Sequence, residues 1–231
     1  MALPNHQVFL GIEGKSQKIL EENCIEKSFK KNSIIYLQEE EQDAVYIIKT
    51  GWVKIFRQTL DGEEAITDIL NDGKFFGEAA VLENSQHSES AEAIEDTALY
   101  QIKLSSFKKV LSDDRLFGLN ILRYIARKQA SKTLEVEHLT IQNASQRIGC
   151  FLMKLCKPEN KLNTVLNLPY DKSLIASRLG MKPETFSRAL NTLRVATKIE
   201  ISGSRVTIPE INDIISYTCS ACSETYPCKD L

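Results

Sequence analysis

No stretch of this chain approaches the ~20 consecutive apolar residues that span a bilayer. The N-terminus, MALPNHQVFLGIEGK, lacks a basic segment followed by a long apolar run. No signal peptide is expected, and the expected location is the cytoplasm, with no membrane partner. Catalytic patterns are missing too. There is no Ser/His/Asp set, no G-x-x-x-x-G-K-[ST] loop and no H-E-x-x-H, which argues against an enzyme. Histidine is scarce: His6, His87 and His138 are the three, and none stands in a C-x-x-C-H haem motif. His138, near the end of a long helical stretch, reads as a surface or hinge residue. A strong excess of one charge is absent as well, the formal net charge being -2.

What is present is enough apolar material, 42% of 231 residues, for two modest domains or one large one. The small net charge hides an asymmetry. Residues 1–142 carry 17 Lys/Arg against 23 Asp/Glu, and residues 143–231 carry 12 against 8. An acidic first part joined to a basic second part suits a sensor attached to a nucleic-acid reader.

After a short helix over Ser16–Glu22, apolar runs recur at Ile34–Leu37, Val45–Ile48, Val53–Phe56, Ile66–Leu70 and Thr97–Ile102. Turn signals separate them: Lys31-Asn32, Asp61-Gly62 and Asn71-Asp72-Gly73. Many short strands at near-regular spacing predict a β-sandwich or β-roll. Ser105–Leu111 then reads as a short helix. A long one runs from about Arg115 to about Thr140, where Leu122, Ile125, Gln129, Lys132, Val136 and Leu139 step by three and four. That spacing predicts a coiled-coil seam joining two copies of the chain. Packing of the same helix on its own β-domain is the alternative.

Asn143–Cys156 is amphipathic, and Thr164–Leu168 is a short strand. The stretch YDKSLIASRLGMKPETFSRALNTL, Tyr170–Leu193, reads as two short helices. Asp171 is placed to cap the first, and Gly180 to end it, because glycine enters the left-handed conformation at no steric cost. Pro183 fits the first turn of the second. Phe186, Ala189, Leu190 and Leu193 would pack inward, leaving Glu184, Ser187, Arg188 and Asn191 outside. A carboxylate, a hydroxyl and a guanidinium on one surface can read base edges in the major groove. An ordinary helical hairpin with a solvated polar face is the competing reading. KIEISGSRVTI, Lys198–Ile208, alternates on both sides of Ser202-Gly203-Ser204 and predicts a hairpin. A helix over Pro209–Tyr217 follows. Lys172, Lys182, Arg194 and, on the hairpin, Arg205 are candidate phosphate contacts.

This order of parts resembles the CRP/FNR superfamily of bacterial transcription regulators, from about residue 15 to about 217. AVYIIKTGWVKI, Ala44–Ile55, resembles the β-roll signature. Phe76-Gly77-Glu78 resembles the start of the effector-pocket segment. Glu184-Thr185-Phe186-Ser187-Arg188 is similar to the E-x-x-S-R element of the FNR branch. LTIQNASQRIGCFLMKL together with KPETFSR looks closest to Dnr-type, nitric-oxide-responsive regulators.

The resemblance implies an α+β chain. Its parts would be a double-stranded β-helix (jelly-roll) of the cyclic-nucleotide-binding type over residues 1–112, a dimerisation helix over 113–141, a winged helix-turn-helix over 142–217 and a tail over 218–231. It implies a homodimer reading TTGAT-type half-sites with Glu184, Ser187 and Arg188, with double-stranded DNA and RNA polymerase as partners. The effector pocket would involve Gly77, Glu78, Glu89 and Ser90. Cyclic-AMP-binding members carry an Arg-Ser pair where this chain reads Glu89-Ser90. A carboxylate repels a phosphodiester there, so cyclic nucleotide binding is not expected. The family's usual glycines appear here as Glu39 and Thr197.

Cys219, Cys222 and Cys228 form C-x2-C-x5-C, a spacing that can face a [4Fe-4S] cluster. Zinc is the competing metal, and a tail of incidental thiols the competing reading. Cys24, Cys150, Cys156, an Asp or a His could each complete the set. Cys150 and Cys156 lie near an apolar helix face, as small core residues do.

Overall fold

The computed structural model describes residues 2–82, 86–156, 162–169 and 172–219. The chain divides into two compact units, Met1–Ala126 and Arg127–Leu231.

In the first unit a 3-10 turn (Gln7–Phe9) and α1 (Gly14–Glu22) precede β1 (Cys24–Phe29), β2 (Ile34–Tyr36), β3 (Ala44–Thr50), β4 (Val53–Gln58), β5 (Glu64–Leu70) and β6 (Phe75–Phe76). Then come α2 (Ala79–Leu82), β7 (Ser90–Ala93), β8 (Thr97–Lys103) and α3 (Leu104–Asp113). The first turns of α4 (Arg115–Ile141) complete it. The strands make two antiparallel four-stranded sheets, ordered β1-β8-β3-β6 and β2-β7-β4-β5. This is the expected β-roll, and the five expected strands are all present. β1, β6 and β7 are additional. Their sequences, CIEKSF, FF and SAEA, are too polar or too short to announce a strand, and their partners supply the order.

β3 shows why two layers form. Side chains alternate across a strand, so Val45 and Ile47 face one way and Ala44, Tyr46 and Ile48 the other. The first pair joins a core with Phe75, Phe107 and Phe117, against the helices. The second set joins Tyr36, Phe76 and Leu99, between the sheets. Glu39, where the family usually has glycine, takes φ 69° and so keeps the left-handed turn.

In the second unit Asn143 caps α5 (Ala144–Leu155), and its side chain and that of Gln146 bond each other's backbone N–H in a capping box. β9 (Leu162–Asn167), α6 (Lys172–Arg178), α7 (Pro183–Thr197), β10 (Glu200–Ser202), β11 (Arg205–Glu210) and α8 (Ile211–Thr218) follow. The strands form one antiparallel sheet, β10-β11-β9. The last helix starts at Ile211, two residues later than expected. The pairing of Glu210 with Leu162 carries β11 through Pro209. The left-handed residue after α7 is Lys198, at φ 57°, whereas Thr197 stays helical and bonds the Leu193 carbonyl.

Candidate nucleic-acid interface

The joint between α6 and α7 follows from Gly180. Its φ of 63° turns the chain. The Gly180 N–H then reaches the Ser177 carbonyl at 3.0 Å, and the Met181 N–H the Ala176 carbonyl at 3.0 Å. This pair of bonds closes the end of α6 as a Schellman motif and fixes the angle at which α7 leaves. Pro183 opens α7, and the Phe186 N–H bonds the Lys182 carbonyl at 2.9 Å. The expected cap Asp171 lies outside the described residues.

Along α7 one face is buried: Phe186, Ala189, Leu190, Leu193 and Thr197. Glu184, Ser187, Arg188 and Asn191 are exposed on the other face, at the i, i+3, i+4 and i+7 positions that share one side of a helix. The triplet therefore offers acceptor, hydroxyl and guanidinium to solvent together. Lys182, Arg194 and Arg205 are exposed and Lys172 is half-buried. Arg194 donates to the Asn191 amide oxygen at 2.9 Å, one turn earlier. Arg205 starts β11 beside Ser202, across the two-residue loop Gly203-Ser204, as the hairpin pattern predicted.

An ion-pair cluster behind α6 has no signature in the sequence. Glu135 on α4 accepts from Arg178 of α6 at 2.6 Å and Lys154 of α5 at 3.1 Å, with Lys132 at 3.4 Å. Burial raises the Glu135 carboxyl, but Lys154, Arg178 and Lys132 outweigh it and hold the group at about 2. The partners come from three elements, so only Lys132, at i−3, was open to a helical-spacing argument.

His138 is not a surface residue. It is 6% exposed, with Nδ1 3.5 Å from the Cys150 sulfur, because Cys150 on α5 faces the end of α4. Cys150 is buried, as expected of a small core residue. The Cys156 thiol donates to the Leu152 carbonyl, and burial pushes it up to about 11.

Of the residues expected to line a seam on α4, Leu122, Gln129, Val136 and Leu139 are exposed. Ile125 packs on the first unit's own core, and Lys132 is turned to Glu135. Leu119, Ala126 and Thr133 are exposed beside Leu122, Gln129 and Val136, so that these six alternate steps of three and four.

In the β-roll, Ser90 is buried and its hydroxyl accepts from the Gln38 N–H at 2.9 Å, while Gly77, Glu78 and Glu89 are half-buried. Cys219 caps the end of α8, whereas Cys222 and Cys228 lie outside the described residues. No group of three or more His, Cys, Asp or Glu that could hold a metal occurs among the described residues.

Comparison with known proteins follows these two units. Residues 26–114 match the family described as cyclic nucleotide-binding domain, and residues 146–214 the Crp-like helix-turn-helix domain. The nitrogen fixation regulation protein FixK of Rhizobium meliloti is 31% identical over 178 residues, covering 77% of this chain and 79% of that protein. The anaerobic regulatory protein of Haemophilus influenzae is 25% identical over 202 residues, covering 85% and 78%. The solved structure of FixK2 from Bradyrhizobium japonicum superposes with a TM-score of 0.73 at 26% identity, covering 83% and 95%.

Proposed function

The chain belongs to the CRP/FNR family of DNA-binding transcription regulators, and from that premise we propose that it works as a homodimer reading TTGAT-like half-sites under a redox, oxygen or nitric oxide signal. The observation that carries the reading is the solvent-facing triplet of Glu184, Ser187 and Arg188 on a helix whose opposite face is buried. Glu184 accepts from cytosine N4, Arg188 grips guanine O6 and N7, and Ser187 bonds a base edge or phosphate. Lys172, Lys182, Arg194 and Arg205 hold phosphates, so binding weakens as salt rises. RNA polymerase is the proposed partner at the promoter.

Two copies are needed to read two half-sites about one DNA turn, roughly 34 Å, apart. The exposed α4 stripe supports this, since Leu122 is 60% and Val136 63% exposed in a single chain. Supporting the redox signal is the donor set of the tail: thiolates at Cys219, Cys222 and Cys228 fit an iron–sulfur cluster, which would supply an oxygen- or nitric-oxide-sensitive group. Haem has no motif behind it. The match to the cyclic nucleotide-binding family favours a second reading, a cyclic-nucleotide-responsive regulator of the same fold. Glu89 in place of the phosphate-binding arginine stands against it.

The test is a salt-matched anisotropy titration of protein purified without oxygen, on an inverted TTGAT repeat and a scrambled duplex. Tight binding to the repeat alone, lost on exposure to air, is the expected result. Equal affinity for both duplexes would sink the base-reading assignment. Val136→Glu should give a monomer by sedimentation and lose the repeat.

A further inference from the structure

The outward face of α7 does not end at Arg188. Helical residues turn by about 100° each, so Glu184, Arg188, Asn191 and Val195 fall along one line down the helix, with Ser187 beside it. All five are exposed. Val195 is 72% exposed and brings neither donor nor acceptor. Asn191 is therefore the last hydrogen-bonding side chain on that line within α7. Neither the triplet nor the phosphate contacts account for it. Thr192, its exposed neighbour, turns back and donates its hydroxyl to the Arg188 carbonyl at 3.2 Å.

The Asn191 amide has a defined orientation. The Arg194 guanidinium, which carries only donors, lies 2.9 Å from the Asn191 Oδ1 atom. A reversed amide would set N–H against N–H, so Oδ1 faces Arg194 and the Nδ2 hydrogens face away from it. Oδ1 keeps a second lone pair, and Arg194 keeps further donors for phosphate. Asn191 thus offers one acceptor and one donor side by side on the outer face. Adenine presents the complement in the major groove, where N7 accepts and N6–H donates. Guanine presents two acceptors there, N7 and O6, and one of them would face Oδ1.

Position along the helix selects the base pair. From Arg188 to Asn191 the helix rises about 4.5 Å, and base pairs stack about 3.4 Å apart. Asn191 therefore stands about one pair beyond the guanine that Arg188 grips. In a TTGAT half-site that guanine has T on one side and A on the other, so an A·T pair is met in either direction.

We infer that Asn191, oriented by Arg194, makes a bidentate contact to the adenine of the A·T pair next to the guanine read by Arg188, and so specifies that position of the half-site. The inference rests on the proposed reading of TTGAT-like half-sites, because it assigns one further base pair to the same helix.

Anisotropy titration of the full chain, purified without oxygen, tests it. The duplexes are the inverted TTGAT repeat, two repeats carrying 7-deazaadenine at one or the other A·T pair beside the guanine, and the scrambled duplex. 7-Deazaadenine keeps base pairing and the N6 amine but lacks the N7 acceptor. Wild type should bind one of the two 7-deaza repeats about tenfold more weakly than the parent repeat. Asn191→Ala should lose about tenfold on the parent repeat and bind that 7-deaza repeat no more weakly than the parent, because both changes remove one contact. Its affinity for the scrambled duplex, its salt slope and its thermal unfolding midpoint should stay near those of wild type, since Asn191 is exposed. Wild type that prefers the repeat to the scrambled duplex but is indifferent to both 7-deaza repeats overturns the inference and leaves the half-site reading intact. Full affinity of Asn191→Ala for the repeat, or undiminished sensitivity to 7-deazaadenine, overturns it as well. So does equal loss on repeat and scrambled duplex with a lower salt slope, which would make Asn191 a phosphate contact. Wild type that does not distinguish repeat from scrambled duplex overturns the half-site reading and the inference with it.

Discussion

The Arg178 guanidinium stands 2.6 Å from the Glu135 carboxylate, so an ion pair ties the first helix of the helix-turn-helix to the C-terminal part of the long helix. Lys154 joins the same carboxylate from α5. Three helices thus meet on one anion, and α6, one of them, leads into α7 through the turn at Gly180.

Glu135→Gln should cost about 1–3 kcal/mol at pH 7, since it leaves partly buried cations without their counter-charge. The folded pKa of about 2 lies below the ordinary 4.5. The stabilisation is therefore complete above about pH 4.5 and fades as pH falls towards 2. Denaturant unfolding of wild type and variant at pH 7 and pH 3 checks this. A difference that does not shrink at pH 3 would show that the contact is not electrostatic.

Arg188→Ala should lose about 1–3 kcal/mol on the specific duplex and far less on random DNA, because a bidentate guanine contact is sequence-dependent. Lys182→Ala should weaken both duplexes alike and reduce the salt slope by about one. Anisotropy titrations over a range of salt concentrations separate the two behaviours. Equal losses on both duplexes for Arg188→Ala would make it a phosphate contact.

Gly149→Ala should destabilise the second unit by about 1–3 kcal/mol, since a Cβ on α5 collides with the buried Thr218 hydroxyl on α8. Thr218→Ala in the same chain should recover most of the loss. The Thr218 hydroxyl has no hydrogen-bond partner among the described residues, so removing it leaves none of them unsatisfied. Thermal unfolding of the two single variants and the double variant measures the coupling. Additive losses would refute the steric account.

Lys198→Gly should stabilise the chain by about 0.5–1 kcal/mol, because Lys198 holds φ 57° and only glycine enters that region without a steric penalty. The gain should appear in the unfolding midpoint. Thr197→Gly should instead destabilise, since Thr197 is helical and buried.

The helix-turn-helix was legible because its signals are local. Gly180 and Pro183 punctuate two helices, and the spacing of Phe186, Leu190 and Leu193 assigns the buried side without reference to the rest of the chain. The hairpin at Gly203 and the continuous apolar run of β3 are local in the same sense. β1 and β7 were not legible. Their order comes from pairing with β8 and with β2 and β4, at sequence separations that no short window contains.

The long helix marks where that divide falls. Three- and four-residue steps in the sequence determined that a helix runs there and that it carries an apolar stripe. They could not determine which stripe is free, since Ile125 and Lys132 satisfy the spacing as well as Ala126 and Thr133 do. The fold decided it by drawing Ile125 into an aromatic core and Lys132 to Glu135. It decided the burial of His138 in the same way, through Cys150 on another helix. Periodicity is a property of one element, whereas burial and ion pairing depend on what a second element brings to the same place.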